Sequence, residues 1–160
     1  MNKIKLREAT FSDAKIIFDL SNDEEVRTNS INKNLLEWES HKKWLRLRLS
    51  DNNYKIFLFF TENNFIGQVK FEIESKTAII SISLHRDFRG KGLSSIILKN
   101  AIEHFLGENK GINSIIALIR QVNESSIKSF SKAGFVYNGN ELINEERFLK
   151  YIYGIREYGN

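Results

Sequence analysis

The sequence predicts a single domain over residues 1–160: an α/β sandwich with a mixed, mostly antiparallel central sheet of about seven strands, flanked by about four helices. Three observations predict it. Short apolar runs of strand type at 54–61, 65–74, 79–84 and 114–119 alternate with stretches of helical period. One strand, Ile79 to Leu84, passes through a glycine-bearing turn directly into a helix. The length of 160 residues suits one domain with a real core.

Each element has its own signal. Ile4 to Ala9 alternates as a short strand. Ser12 and Asp13 supply an N-cap and a first-turn acid for a helix carrying Ile16, Ile17 and Leu20. Ser21 to Arg27 is polar and without period, which reads as a loop. Asn34 with Glu37 resembles a capping box opening a helix to about Leu49. Leu35, Trp38, His41, Trp44, Leu45, Arg48 and Leu49 fall near one side of it.

Tyr54 to Thr61 (YKIFLFFT) is apolar on both faces, as a central strand should be. Glu62-Asn63-Asn64 makes a hairpin turn. In Phe65 to Glu74, Val69, Phe71 and Ile73 share one face and Lys70, Glu72 and Glu74 the other. Ser75 to Thr77 turns the chain into the strand at 79–84. Leu93, Ile96, Ile97, Ala101 and Phe105 then repeat at helical spacing. After a break at 107–111, Ser114 to Ile119 is a buried strand. A helix opens at Asn123, and two last strands lie near Phe135–Tyr137 and Arg147–Ile155.

Composition narrows the function. The chain has no Cys, so it has no disulfide framework, no thiol nucleophile and no cysteine zinc site, and no metal centre is expected. A net charge of +4 suits an anionic ligand, but Lys and Arg are interleaved with Asp and Glu. No basic block marks a nucleic-acid tail. No apolar run approaches the roughly 20 residues that span a bilayer, and Met1 to Leu20 lacks a signal-peptide core. The expectation is a cytoplasmic protein that binds neither nucleic acid nor membrane. The C-terminal edge strands offer a surface for a homodimer.

The turn Arg86-Asp87-Phe88-Arg89-Gly90-Lys91-Gly92 is the richest stretch. A strand entering a helix through a basic, glycine-bearing turn leaves the first N–H groups of the helix open to an anion, most often phosphate. Gly90 and Gly92 let backbone approach the ligand, and Arg89 and Lys91 add charge. The alternative is a packing turn with solvated cations. A P-loop and a dinucleotide fingerprint are both excluded by the spacing.

Arg89-Gly90-Lys91-Gly92-Leu93-Ser94 resembles the acetyl-CoA signature of the GNAT superfamily of N-acetyltransferases, with Ser94 where that pattern has Gly or Ala. Asn123 to Phe135 is similar to the family's Asn-bearing helix that ends in Gly-Phe. The resemblance implies the GNAT fold, splayed at an acetyl-CoA cleft, and direct acetyl transfer to a primary amine. It implies that Leu84, His85 and Arg86 face the pantetheine arm. Arg89, Gly90, Lys91, Gly92, Leu93 and Ser94 would hold the diphosphate, with Asn123, Ser126 and Phe130 contributed by the second helix.

The chemistry needs a neutral amine, a donor for the thioester oxygen and a proton for the departing thiolate. The family's usual acid is a Tyr seven residues after the Asn, and that position is Phe130. Tyr137 is a substitute acid, or a packed sheet residue. His85 and Glu72 are candidate bases, and a water chain would serve as well. Backbone N–H of Leu84 or His85 could serve the oxygen.

Asn22, Arg27, Ser30, His41 and Trp44 resemble the N-terminal half of GNAT enzymes that acetylate the 4-amino group of UDP-linked 4-amino-4,6-dideoxy sugars, of the pseudaminic-acid type used in surface glycans and flagellin. Arg27 would then meet the diphosphate, while Trp44 either stacks on the acceptor or anchors its helix in the core. Two alternatives stand beside this: acetylation of protein N-termini or polyamines, and an acyl-CoA-binding sensor with little turnover.

Overall fold

A computed structural model of the chain describes residues 3–155. Its seven strands are β1 (Ile4–Glu8), β2 (Tyr54–Thr61), β3 (Asn64–Glu74), β4 (Thr77–Leu84), β5 (Ser114–Arg120), β6 (Val136–Ile143) and β7 (Glu146–Gly154). They form one sheet in the order β1-β2-β3-β4-β5-β7-β6. Every neighbouring pair is antiparallel except β4 and β5. The parallel pair follows from its connection, the helix α4 (Leu93–Glu108), which carries the chain back across one face.

Strand β2 shows why the sheet is buried on both sides. Phe57 and Phe59 point to one face, where they join Val69, Phe71 and Phe105. Ile56 and Leu58 point to the other, against Ala14, Ile17 and Leu45. The first face is covered by α4 and α5 (Glu124–Lys132), and Phe71 stacks flat on Phe105 with centroids 4.0 Å apart. The second is covered by α1 (Ala14–Ser21) and α3 (Trp38–Leu49). Among the described residues no helix is long and apolar enough to cross a membrane.

Three elements depart from the sequence reading. The polar stretch after α1 contains a fifth helix, α2 (Glu24–Asn29). Asp23 caps it by accepting N–H bonds from Glu25 and Val26, but six residues with no apolar stripe carry no readable period. The helix α3 starts at Trp38, not at Leu35. Arg27 donates to the Asn32 and Asn34 carbonyls, and Asn22 pairs with both Leu36 backbone groups, so residues 30–36 are tied down as a loop. Strand β6 is longer than its exposed sequence suggested. It is held by pairing to β7 through a turn in which Asn144 and Glu145 both take positive φ.

The strands β4 and β5 pair only from Thr77/Ser114 to Ile80/Ala117. Beyond that point β4 stays on β3 as far as Leu84, while β5 stays on β7. The sheet opens between them.

Candidate active site

The opening is the mouth of a cleft of about 360 Å³. Residues 79–84 of β4 form one wall, and Leu118 and Ile119 of β5 face them. The hydrogen-bond phase of β4 is fixed by the His85 N–H, which donates to the Ile66 carbonyl at 2.7 Å. Gly67/Leu84 and Val69/Ile82 are therefore the non-bonded pairs of the β3–β4 ladder. Ile82 and Leu84 consequently turn their backbone N–H and C=O away from β3, into the gap that β5 has left. The same bond removes His85 as an oxyanion donor, because its N–H is already spent on β3.

At the far end lies the basic turn. Gly90 and Gly92 have φ of 72° and 73°, a left-handed backbone that brings the chain around into α4. Gly92 is the N-cap and no side chain caps the helix, so its first N–H groups remain open to an anion. Gly90 and Ser94 line the cleft. Arg89 also lines it, yet its guanidinium is engaged: it donates to Asp23 at 2.7 Å, to Glu25 at 2.8 Å and to the Leu84 carbonyl at 3.0 Å. Burial pushes the Asp23 carboxyl up, but Arg89 and the α2 N–H groups outweigh it and hold the group below the usual carboxylate range. Arg89 thus ties the basic turn to α2.

The third wall is a polar stripe on β3 and β4. Gln68 pairs with Ser83 and Lys70 with Ser81, so all four side chains share the face that looks toward α1 and α2. Gln68 is 1% exposed. Its Nε2 donates to Ser21 Oγ at 3.4 Å, and its Oε1 has no partner among the described residues. Lys70 has no ion-pair partner among them either. Its Nζ sits 5.6 Å from the Trp44 ring centre. Burial, then Arg27 and Arg48, push Lys70 down to about 8, and Glu72 opposes them.

Several residues singled out in the sequence converge here: Leu84, Arg89, Gly90, Ser94, Asn123, Ser126, Phe130, Arg27 and Ser30. Asn123 caps α5 through the Ser126 N–H. Phe130 is 3% exposed and packs edge-on to Phe135 at 5.0 Å, so it brings a phenyl ring without a hydroxyl to the cleft. Arg27 is occupied differently from the expectation. It donates to Ser21, Asn32 and Asn34 carbonyls and to Ser30 Oγ, so four of its five donors hold the loop.

Others lie off the cleft. His85 caps a short 3-10 turn (Arg86–Phe88) through its Nδ1, and Arg86 belongs to that turn. Lys91 lies over Phe88, and neither Gly92 nor Leu93 reaches the cleft wall. Tyr137 is half exposed on the edge strand β6 and donates to Asn140. Glu72 is two residues further along β3, paired with Tyr54 and away from the splay. Asn22 holds the loop through Leu36. His41 is buried between Trp38 and Trp44, with Nε2 on the Ala14 carbonyl, and burial pushes its pKa down. Trp44 packs edge-on to Tyr54, in the core-anchor role.

Gln68 and Lys70 were missed. Alternation placed Lys70 on a polar strand face, and nothing local says that α1 and α2 cover that face. The available signal was in β4: Ser81 and Ser83 break an otherwise apolar strand at the matching alternate positions.

Comparison with known proteins gives the family and the fold. The acetyltransferase (GNAT) domain family matches residues 3–136. The putative phosphinothricin acetyltransferase YwnH of Bacillus subtilis is 34% identical over 85 residues, 53% of this chain and about half of that protein's length (49%). Acetyltransferase PseH of Campylobacter jejuni is 25% identical over 136 residues, 82% of this chain and 84% of that one. Among solved structures, spermidine N-acetyltransferase from Vibrio cholerae, in complex with CoA and spermine, superposes with a TM-score of 0.83 at 19% identity over 93% of both chains. The ribosomal L7/L12 alpha-N-protein acetyltransferase RimL, in complex with CoA, gives 0.83 at 20% identity over 97% of this chain and 96% of that one.

Proposed function

The chain belongs to the GNAT acetyltransferase family, which moves an acetyl group from acetyl-CoA to an amine, and on that premise we propose that its acceptor is the 4-amino group of a UDP-linked 4-amino-4,6-dideoxy sugar. The cleft fits the cosubstrate by its own unpaired groups. The open N–H groups of α4 suit a diphosphate, and the gap-facing N–H and C=O of Ile82 with the N–H of Leu84 suit the amides of a pantetheine arm. Bound there, acetyl-CoA supplies a thioester carbonyl for an amine to attack. The N–H of Ile82 or Leu84 is then the donor placed for the thioester oxygen.

The carrying observation is charge. The acceptor half of the cleft presents Lys70 and the remaining donor of Arg27, while the Glu25 carboxylate beside them is taken by Arg89. A polyamine would meet cations there, and a sugar diphosphate would be attracted. The likeness to PseH over most of both chains supports the same reading.

Phe130 gives the thiolate no proton. An ordinary thiol has a pKa of roughly 8.5, so CoA leaves at an acceptable rate and takes its proton from water. Thiol release from acetyl-CoA tests the proposal directly, with a UDP-4-amino sugar run beside spermidine and a short peptide. Release with the sugar nucleotide alone is expected. Release with spermidine or the peptide instead discards the sugar, and acetyl-CoA binding with no release at all favours the acyl-CoA sensor.

A further inference from the structure

We infer that Gln68 and Lys70 form the recognition pair for the acceptor: Gln68 Oε1 takes an N–H of the attacking amine, and the Lys70 ammonium holds an anionic group on the same molecule. The inference deepens the sugar-nucleotide reading and rests on it.

Gln68 carries the first half. A buried amide oxygen without a donor costs free energy unless something else completes it. Gln68 lies opposite Ser83, inside the stretch of β4 whose backbone faces the cosubstrate gap. Its oxygen is thus an empty acceptor beside the place where amine and thioester must meet. A neutral amide accepts an N–H without removing it, so it orients the nitrogen lone pair and leaves proton loss to water. Lys70 carries the second half. It lines the same cleft, is only partly open, and has no carboxylate at ion-pair distance among the described residues. The charged groups around it are Arg27 on α2, Arg48 on α3 and Glu72 on its own strand, so cations outnumber the one anion. Such a lysine is completed by an incoming anion.

Spacing joins the halves. Two residues along a strand span about 6.7 Å on one face. That is comparable with the separation, across a pyranose ring, of an amine on C4 from a phosphorus linked through the oxygen on C1. At the level of the backbone, one sugar nucleotide is thus long enough to reach Lys70 with its diphosphate and Gln68 with its 4-amino group.

The competing explanation is that Gln68 only anchors α1 through Ser21. Steady-state kinetics on the wild type, Gln68→Leu, Ser21→Ala and Lys70→Met separate the two, using the UDP-4-amino sugar and the same amino sugar without the nucleotide, with calorimetry of acetyl-CoA binding as a control. Gln68→Leu is expected to lower kcat/KM about tenfold on both sugars with acetyl-CoA affinity unchanged, while Ser21→Ala stays within about twofold. Lys70→Met is expected to lower kcat/KM about a hundredfold for the nucleotide and to leave the free sugar unchanged. Equal losses in Gln68→Leu and Ser21→Ala, or equal losses on both sugars in Lys70→Met, would overturn the pair. A wild type that ignores the sugar nucleotide but acetylates another amine sinks the sugar reading and the Lys70 half. The Gln68 half then stands or falls by the same Leu-against-Ala comparison on that amine. Turnover of no amine overturns both.

Discussion

Strands β3 and β4 present two faces made from alternating residues of the same short segments, and the faces have opposite chemistry. Toward α4, Val69, Phe71, Ala78 and Ile80 are almost wholly dry, in one core with Phe105. Toward α1 and α2, Gln68, Lys70, Ser81 and Ser83 line a cleft in which, among the described residues, the Gln68 amide oxygen has no hydrogen-bond partner and Lys70 no ion-pair partner. The dry face is sealed by helices, whereas the polar face is buried at Gln68 and open at Ser81. Burial on the first face serves stability, and the second keeps polar groups at the wall of a cleft. A polar stripe under a helix is therefore a different object from a polar stripe under water.

The dry side should be the more sensitive to truncation. Phe71→Ala removes the flat partner of Phe105 and leaves a cavity in the centre of the core. A loss of about 3–5 kcal/mol in denaturant unfolding is expected. A loss below about 1 kcal/mol would mean that the two faces contribute alike.

Next comes the seam between the strands, which belongs to both faces. A Cβ at Gly67 would stand 2.3 Å from the Ser83 carbonyl oxygen and 2.9 Å from a Leu84 methyl. Gly67→Ala should therefore push β3 from β4 at the cleft wall, costing about 1–3 kcal/mol and weakening acetyl-CoA binding in calorimetry. Unfolding and binding that both match the wild type would show that the seam yields freely.

The polar face should respond in the opposite sense. Lys70 keeps its charge at neutral pH against burial and two arginines. Its folded pKa, down at about 8, lies below the unfolded value, so the unfolded chain binds the extra proton and stability is lost as pH falls from about 10.5 to 8. Lys70→Met removes that cost and should raise stability at pH 7 by about 1–3 kcal/mol, discounted for partial exposure, while the enzyme loses turnover. A thermal scan checks it; a lower Tm would place Lys70 among the stabilising groups.

The smallest effect belongs to His41, on the acceptor side but sealed in aromatics. Burial lowers its pKa in the fold, against the pull of the Ala14 carbonyl and with Lys70 adding to the fall. The neutral form is thus native, and stability should decline by under about 1 kcal/mol as pH falls below roughly 6.5. His41→Phe should flatten that part of the profile in chemical unfolding measured across pH 5–8.

Much of this protein was legible without coordinates. The positions of β2 to β5 along the chain follow from apolar runs and turn residues, and the glycines of Arg89 to Ser94 mark a turn entering a helix. The turn into α4 was readable because a strand, a turn and a helix N-terminus are contiguous in the chain. The acceptor side was not. Its elements are brought together from segments tens of residues apart, and each local pattern fits a bland role. Glu72, His85 and Tyr137 have the right functional groups for acid–base work, yet register and strand phase carry all three away from the cleft.

By itself the sequence determined the layers, the glycine-bearing turn into α4 and the phenyl side chain at Phe130, because periodicity, φ preference and side-chain identity are local properties. Only the tertiary structure decided that α2 exists, that Arg89 is bound to Asp23 and Glu25, and that the polar face of β3 is a covered cleft. Alternation in a strand fixes which residues share a face. What covers that face depends on packing by remote helices, and that alone turns Gln68 and Lys70 from residues of a solvated strand face into residues of a cleft wall.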